Sequence, residues 1–150
     1  MISKKTKYGL KALIYLARVY EKGPVLISSL AREEGIPKKF LELILLDLKN
    51  QGLLHSKRGK SGGYYLRKNP DQIIIGEVVR LFDGPLAPVS CVSQYAYRKC
   101  DECHNEQQCA IRMIMKEVRD AMSKILDQTT LSDLLEKTDK SLLTALNYSI

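Results

Sequence analysis

Four cysteines, Cys91, Cys100, Cys103 and Cys109, are all the thiols of this 150-residue chain, and they fall in one stretch with the spacing C-x8-C-x2-C-x5-C. Thiolates are ligands for zinc and for iron–sulfur clusters, and four complete the coordination of either. The stretch has almost no helical or strand periodicity, so a backbone pattern does not account for the gathering. Three chemistries suit the set. An iron–sulfur cluster, 2Fe–2S or 4Fe–4S, takes four thiolates, with Arg98, Lys99 and Arg112 placed to offset the negative charge. Zn2+ also accepts four cysteines, but its common pattern is two close pairs, and only Cys100 and Cys103 form one here. A metal-free thiol switch would oxidise Cys100 with Cys103, or another pair. A thioredoxin-like enzyme is excluded, because its C-x-x-C belongs in a βαβ unit that this sequence does not build. His104 is a substitute ligand by type, although a histidine beside such a site more often faces solvent. Tyr95 and Tyr97, between the cysteines, are expected to pack under the loop.

The charge of the chain says what the rest of it handles. Its net charge is +7, yet residues 1–70 hold 15 Lys/Arg against 5 Asp/Glu, while residues 71–150 hold 9 against 12. A first half this basic points to a polyanionic partner, most simply nucleic acid. The hydrophobic fraction of 45% is enough for a core. No apolar run reaches membrane-spanning length. The apolar residues from Met1 to Tyr20 are broken by Lys11 and Arg18 at helical spacing, which reads as a helix and not a signal peptide. The expected location is the cytoplasm, where thiols stay reduced and metal ligation outranks structural disulfides. Two histidines, no paired catalytic carboxylates and no nucleophile–base motif leave an enzyme without machinery.

The elements that must position these groups follow from periodicity. Lys4, Lys5 and Lys7 precede a first amphipathic helix that starts at Tyr8 and buries Leu10, Leu13, Ile14, Leu16 and Ala17. Gly23-Pro24 ends it, and Val25–Ile27 is a short extended piece. Ser28 or Ser29 caps a second helix that Gly35 closes. Pro37 at a first helical position opens a third, with Phe40, Leu41, Ile44, Leu45 and Leu48 as its buried stripe. The very short link between the second and third helices resembles a helix-turn-helix. Leu53–Lys57 and Tyr64–Lys68 read as strands around Arg58-Gly59-Lys60-Ser61-Gly62-Gly63, a basic hairpin tip. Together these make a winged helix, whose wing reaches a phosphate backbone or minor groove. Gly59-Lys60-Ser61 is not a P-loop end, since Leu54 stands where that motif needs glycine and a strand follows it.

A fourth helix over Ile73–Phe82 ends at Asp83-Gly84-Pro85. The cysteine stretch then occupies a long irregular segment, a length that in compact domains usually signals function or disorder. Beyond Cys109, Ile111, Ile114, Val118, Ala121 and Ile125 recur in steps of three and four, widened by Met115, Met122 and Leu126. That is a heptad-like seam on a helix of about 18 residues, suited to pairing with its copy. Thr130 or Ser132 starts a last short helix over Leu131–Leu135, and the tail from Asp139 is expected to be mobile.

Lys7-Tyr8-Gly9-Leu10-Lys11-Ala12-Leu13, Phe40-Leu41-Glu42, Arg58-Gly59-x-x-Gly62-Gly63-Tyr64-x-Leu66 and a cysteine cluster before a long helix resemble the bacterial winged-helix regulators of the IscR, NsrR and CymR type, the Rrf-two family. The resemblance covers nearly the whole chain. It implies a homodimeric transcription factor, several of whose relatives bind an iron–sulfur cluster through three cysteines ahead of the dimerisation helix. It implies that Glu42 contacts bases and that Arg58 enters the minor groove. Phe40 stands where the family often has Tyr, Lys39 where some members have Ser, and Leu43 where some have Gln, so the resemblance carries over DNA binding and not an operator sequence. Lys38 and Lys39 open the recognition helix, where they suit phosphate or guanine. IscR-like members complete their site with a His shortly after the third cysteine. Here that position is near Arg112, and the acidic N-terminal ligand of the nitric-oxide sensors is not matched at Tyr8. The chain therefore looks like an all-cysteine variant.

The expectation is a mainly α fold with a small β wing in three parts. Residues 1–82 form the winged helix-turn-helix domain, 83–108 the cysteine-rich sensor loop, and 109–150 the dimerisation helix and tail. Lys5, Lys7, Lys38, Lys39, Glu42, Arg58 and Lys60 are the expected contacts to a pseudo-palindromic double-stranded DNA operator. Cys91, Cys100, Cys103 and Cys109 are the expected ligands of an iron–sulfur cluster, with Zn2+ or no metal as the alternatives. Two other readings stay open: a winged-helix regulator controlled by a partner protein, and a zinc-stabilised protein–protein adaptor.

Overall fold

The structure, a computed structural model, describes residues 2–149. It is mainly helical, with six α-helices and one two-stranded antiparallel sheet among those residues. The first helix, α1, spans Lys4–Arg18, so it begins four residues before the expected Tyr8. The reason is Ser3, whose hydroxyl accepts the Thr6 amide as an N-cap. The N-terminal lysines thus ride on the first turns of the helix and do not precede it. Helix α2 spans Ile27–Glu34 and α3 spans Lys38–Asn50. Neither Ser28 nor Ser29 caps α2; Leu26 holds that position without a side-chain bond. Gly35 closes α2 in the left-handed conformation (φ 63°), as its type suggested. Pro37 sits one residue before α3, in the N-cap position, where its fixed φ aims the chain into the helix.

Strands β1, Leu54–Lys57, and β2, Gly63–Leu66, pair in the register Leu54 with Leu66 and Lys57 with Gly63. Val25 adds a third short rung by exchanging two backbone hydrogen bonds of 2.9 Å with Tyr64. This approach explains Gly63, at φ 139°: a Cβ there would stand 2.0 Å from the Val25 carbonyl oxygen.

Helix α4 is Ile75–Asp83, α5 is Ala110–Asp127 and α6 is Leu131–Tyr148. The last helix corrects an expectation. It runs for 18 residues, not for the short Leu131–Leu135 turn, and extends well past Asp139. Thr130 and Asp133 form a reciprocal capping box at its start. Leu131 is fully buried, and Leu134 and Leu135 pack on the same core. That core joins Leu13 and Leu16 of α1, Leu30 of α2, Leu41, Ile44, Leu45 and Leu48 of α3, Leu54 and Leu66 of the wing, and Val78 and Val79 of α4. Backbone bonds from Leu131 N–H to the Ile73 carbonyl (2.8 Å) and from Ile75 N–H to the Thr129 carbonyl (2.9 Å) lace the start of α6 to the start of α4.

Helix α5 has the opposite character. None of its residues is buried, and Ile111, Ile114 and Ile125 are at least half exposed. Leu126 turns from the seam to the core. Arg80 of α4 donates two hydrogen bonds to Asp127, at 2.6 and 2.8 Å, which fixes the far end of α5 to the winged domain. Gly76 leaves the room for this, since a Cβ there would lie 2.0 Å from Asp127 Oδ1. No helix among the described residues is long and apolar enough to cross a membrane.

Candidate nucleic-acid interface and cysteine cleft

The start of α3 and the wing face one another across an open groove of about 320 Å³, lined by Leu26, Ser28, Lys38, Glu42, Lys57 and Gly62 among others. Lys38 and Glu42 lie one turn apart on the exposed side of α3, while Leu41, Ile44, Leu45 and Leu48 hold the opposite side in the core. The helix is therefore anchored through one face and offers the other. Lys39 is exposed on the next turn position and does not line the groove. Arg58 and Lys60 stand exposed on the hairpin tip. Gly59 takes φ 104°, and a Cβ on Gly62 would lie 2.1 Å from the Lys57 carbonyl oxygen, so this tip folds only with glycine at both places. No salt bridge among the described residues engages Lys38, Lys39, Arg58 or Lys60.

The N-terminal lysines divide. Lys7 is exposed on α1. Lys5 is occupied: its ammonium donates to Asp47 of α3 at 2.7 Å and sits 5.3 Å from the centre of the Phe82 ring. Its charge braces α1 against α3 and α4. Phe82 in turn packs on Gly9, where a Cβ would meet the ring at 2.5 Å. The N-terminus is also tied to the end of α4, since the Ser3 amide donates to Asp83 at 3.0 Å. Partial burial opposes the ionised Asp83, but the bonds from Ser3 outweigh it and hold this carboxyl below its usual value.

The second site is a cleft of about 630 Å³ lined by Cys91, Cys100, Cys103 and Cys109 together with Arg98, Lys99 and Arg112. All four thiols that the sequence gathers thus border one space, and all are free. Three local devices hold them. Cys91 lies in a single 3-10 turn, Ser90–Val92, directly after the segment that leaves α4. Ser90 accepts the Arg98 amide and its hydroxyl donates to the Arg98 carbonyl, closing the loop on itself. Cys100 and Cys103 share a turn through the Cys103 amide and the Cys100 carbonyl. Cys109 is the N-cap of α5, its sulfur accepting the Arg112 amide at 3.4 Å. The positive end of the α5 dipole faces that sulfur, which favours an anionic ligand there.

Partial burial pushes the Cys103 thiol above its ordinary pKa, and the neighbouring Cys109, Glu106 and Cys100 push it the same way. Tyr97 donates from its hydroxyl to Glu106, and that bond raises the phenol above its ordinary value. Tyr95 and Tyr97 are both exposed, so they do not pack under the loop as expected. His104 is exposed and outside the cleft. Among the described residues, no three His, Cys, Asp or Glu side chains converge closely enough to hold one metal ion. A tetrahedral ion with bonds of about 2.3 Å draws its sulfurs to within roughly 4 Å of one another. Four thiols bordered by Arg98, Lys99 and Arg112 are a donor set whose chemistry suits an iron–sulfur cluster or zinc.

Two contacts connect the cleft to the helices and were invisible in the sequence. Arg119, at mid-α5, donates to the Val92 carbonyl and so pins the Ser90–Val92 turn to the helix. Arg80 and Asp127 join α4 to α5, as described above. No short motif encodes either pair, because the partners are far apart in the chain. The missed length of α6 did have a signal: Thr130-x-x-Asp133 followed by Leu134, Leu135, Thr138, Leu142 and Leu146.

Comparison with known proteins agrees with this architecture. The profile of the Rrf2 family, described as "Iron-dependent Transcriptional regulator", matches residues 2–137. An rrf2-like HTH-type transcriptional regulator of Rhodobacter capsulatus is 46% identical over 138 residues, 90% of this chain and 92% of that protein. The solved structure of CymR, the global cysteine regulator of B. subtilis, superposes with a TM-score of 0.77 at 34% identity, covering 91% of this chain and 97% of that one. The structure of T. potens IscR superposes with a TM-score of 0.74 at 26% identity, covering 94% and 90%.

Proposed function

Because this chain belongs to the Rrf2 family of transcriptional regulators, we propose that it is a homodimeric, sequence-specific regulator of cytoplasmic DNA whose operator affinity is set by an iron–sulfur centre at the four-cysteine cleft. The observation that carries this reading is the position of the cleft. Its walls come from the segment after α4 and from the start of α5, so it lies at the joint between the winged domain and the exposed helix. When bound there, an iron–sulfur centre supplies a redox- and ligand-sensitive charge to that joint.

The chain's own residues transmit the state of the cleft. The Ser90–Val92 turn bears on α5 through Arg119, and α5 bears on α4 through Asp127 and Arg80. A shift of the loop therefore changes the angle between the winged domain and α5. In a dimer paired through the Ile111, Ile114, Val118 and Ile125 face, that angle sets the distance between two α3 helices. Half-sites on B-form DNA are about 34 Å apart per helical turn, so spacing controls whether both helices engage. In each half, Lys38, Lys39 and Glu42 meet the major groove, and Arg58 and Lys60 reach the neighbouring backbone or minor groove.

The test is anaerobic purification followed by a visible spectrum and analysis for iron, sulfide and zinc, with operator binding measured before and after removal of the centre. Stoichiometric iron and sulfide and a changed affinity are expected. If Cys100→Ala and Cys103→Ala leave both metal content and affinity unchanged, the sensor reading is wrong. A second reading, a thiol switch, has one observation in its favour: all four thiols are free and border one cleft. It predicts colourless protein whose DNA affinity responds to oxidant and is restored by a dithiol.

A further inference from the structure

Among the described side chains, the buried polar atom without a hydrogen-bond partner is Arg112 Nε. Its residue lines the cysteine cleft, on the first turn of α5. Leaving a charged donor buried and unsatisfied is among the costlier arrangements a fold can hold. Of the other arginines near the loop, Arg98 is exposed to solvent, and Arg119 and Arg80 are matched. Arg119 is held by Val92 and Asp120, and Arg80 by Asp127. Glu102, Glu106 and Asp101 lie close in sequence, yet none forms a salt bridge with Arg112.

We infer that Arg112 is the charged donor of the cleft: its guanidinium supplies an N–H to the sulfur-rich anionic centre that the cysteines hold, and counts against the fold when that centre is removed. The inference rests on the cluster reading above and deepens it. Four thiolates around a centre leave net negative charge in a partly enclosed space. A guanidinium is the natural counter-ion there, because it is weakly hydrated and stays protonated. Placement is secured by the helix: the Arg112 amide already donates to Cys109, so the side chain leaves the backbone beside a ligand sulfur. Hydrogen bonds to cluster sulfurs tune both retention and reduction potential. Arg112 acts through the ligands and the centre, so it is a positioning residue.

The experiment measures two quantities of opposite expected sign on the full-length protein. Arg112→Met keeps the length and apolar stem and removes the charge. In metal-free protein it should raise Tm, by about 2–4 °C, since the unsatisfied donor is gone. In protein loaded with iron and sulfide under nitrogen, it should speed loss of visible absorption to a chelator about tenfold or more. It should also shift the reduction potential of the loaded centre. Arg112→Lys should recover part of the retention without the fork geometry. A metal-free Arg112→Met that is less stable than native protein shows a purely structural arginine and overturns the inference. So does an Arg112→Met protein that retains iron and sulfide as native protein does. Native protein that takes up no iron and sulfide overturns the cofactor reading itself, and the inference with it.

Discussion

Glu42 and Arg58 are proposed to meet DNA in two different ways, and on that proposal they should fail differently. Glu42 is exposed on α3 and borders the groove below the wing. A carboxylate there accepts from cytosine amino groups in the major groove. Glu42→Ala should therefore relax discrimination at one base-pair position by about 1–3 kcal/mol. Arg58, exposed on the wing tip, is the proposed contact to the backbone or a narrow minor groove. Arg58→Ala should weaken binding most on operators with A·T-rich flanks and lower the salt slope by about one. Competition binding against an operator library at two salt concentrations separates the two. An equal, sequence-independent loss for both variants would contradict the assignment of Glu42. Lys5 teaches a related lesson. Its type and position suggest a phosphate contact, and in the DNA-free protein its ammonium pairs with Asp47 and lies near the Phe82 ring. Sequence supplies the charge; the fold decides what neutralises it.

At the scale of elements, the wing and α5 carry the sharper expectations. The wing stands on glycines whose neighbours leave no space, with Gly63 against Val25 the tightest. Gly63→Ala should cost about 1–3 kcal/mol of stability and lower DNA affinity by displacing the wing, read by chemical denaturation and by operator titration. Unchanged stability would mean that the Val25 rung is dispensable. For α5, about 27 Å long at 1.5 Å per residue, the exposed face of Ile111, Ile114, Val118 and Ile125 is the proposed dimer seam. Ile114→Glu with Val118→Glu should convert the protein to a monomer by sedimentation while leaving its far-UV spectrum intact, because no α5 residue is buried in the monomer's own core. A dimer that survives both charges would place the interface elsewhere. Helical segments were readable in advance because the 3.6-residue period is local. Their ends were less so: Ser3 captured the start of α1, and α6 continues past its core-packed first turns, Leu131, Leu134 and Leu135, as an exposed helix.

For the whole molecule, two bulk measurements test the balance of charge. Asp127 is held below the usual carboxylate range by its hydrogen bonds to Arg80, and Asp133 by the Thr130 amide and hydroxyl. Folded values depressed below the unfolded value of about 3.9 mean that these contributions are complete above that pH and vanish as pH falls through the folded values. Stability should be flat from neutral pH down to about 5 and drop below about 4, with Asp127→Asn flattening the drop; a thermal melt series in pH checks this. DNA affinity should fall steeply with salt, log–log, because a half with 15 Lys/Arg against 5 Asp/Glu binds through phosphates. A salt-independent complex would remove the nucleic-acid reading altogether.

The sequence by itself determined the class of the molecule. The basic half, the short-linked helices, the glycine-rich basic hairpin and the four cysteines are local features, and local spacing suffices for them because turns, helical stripes and ligand types are written in neighbouring residues. Only the tertiary structure decided how these parts bear on each other. It placed the four cysteines around one cleft while keeping them from a single point, gave Arg119 to Val92 and Asp127 to Arg80, and left the Arg112 Nε without an acceptor beside the thiols. Those pairings join residues far apart in the chain, and the energy of a charge depends on what surrounds it after folding, which no run of neighbouring letters contains.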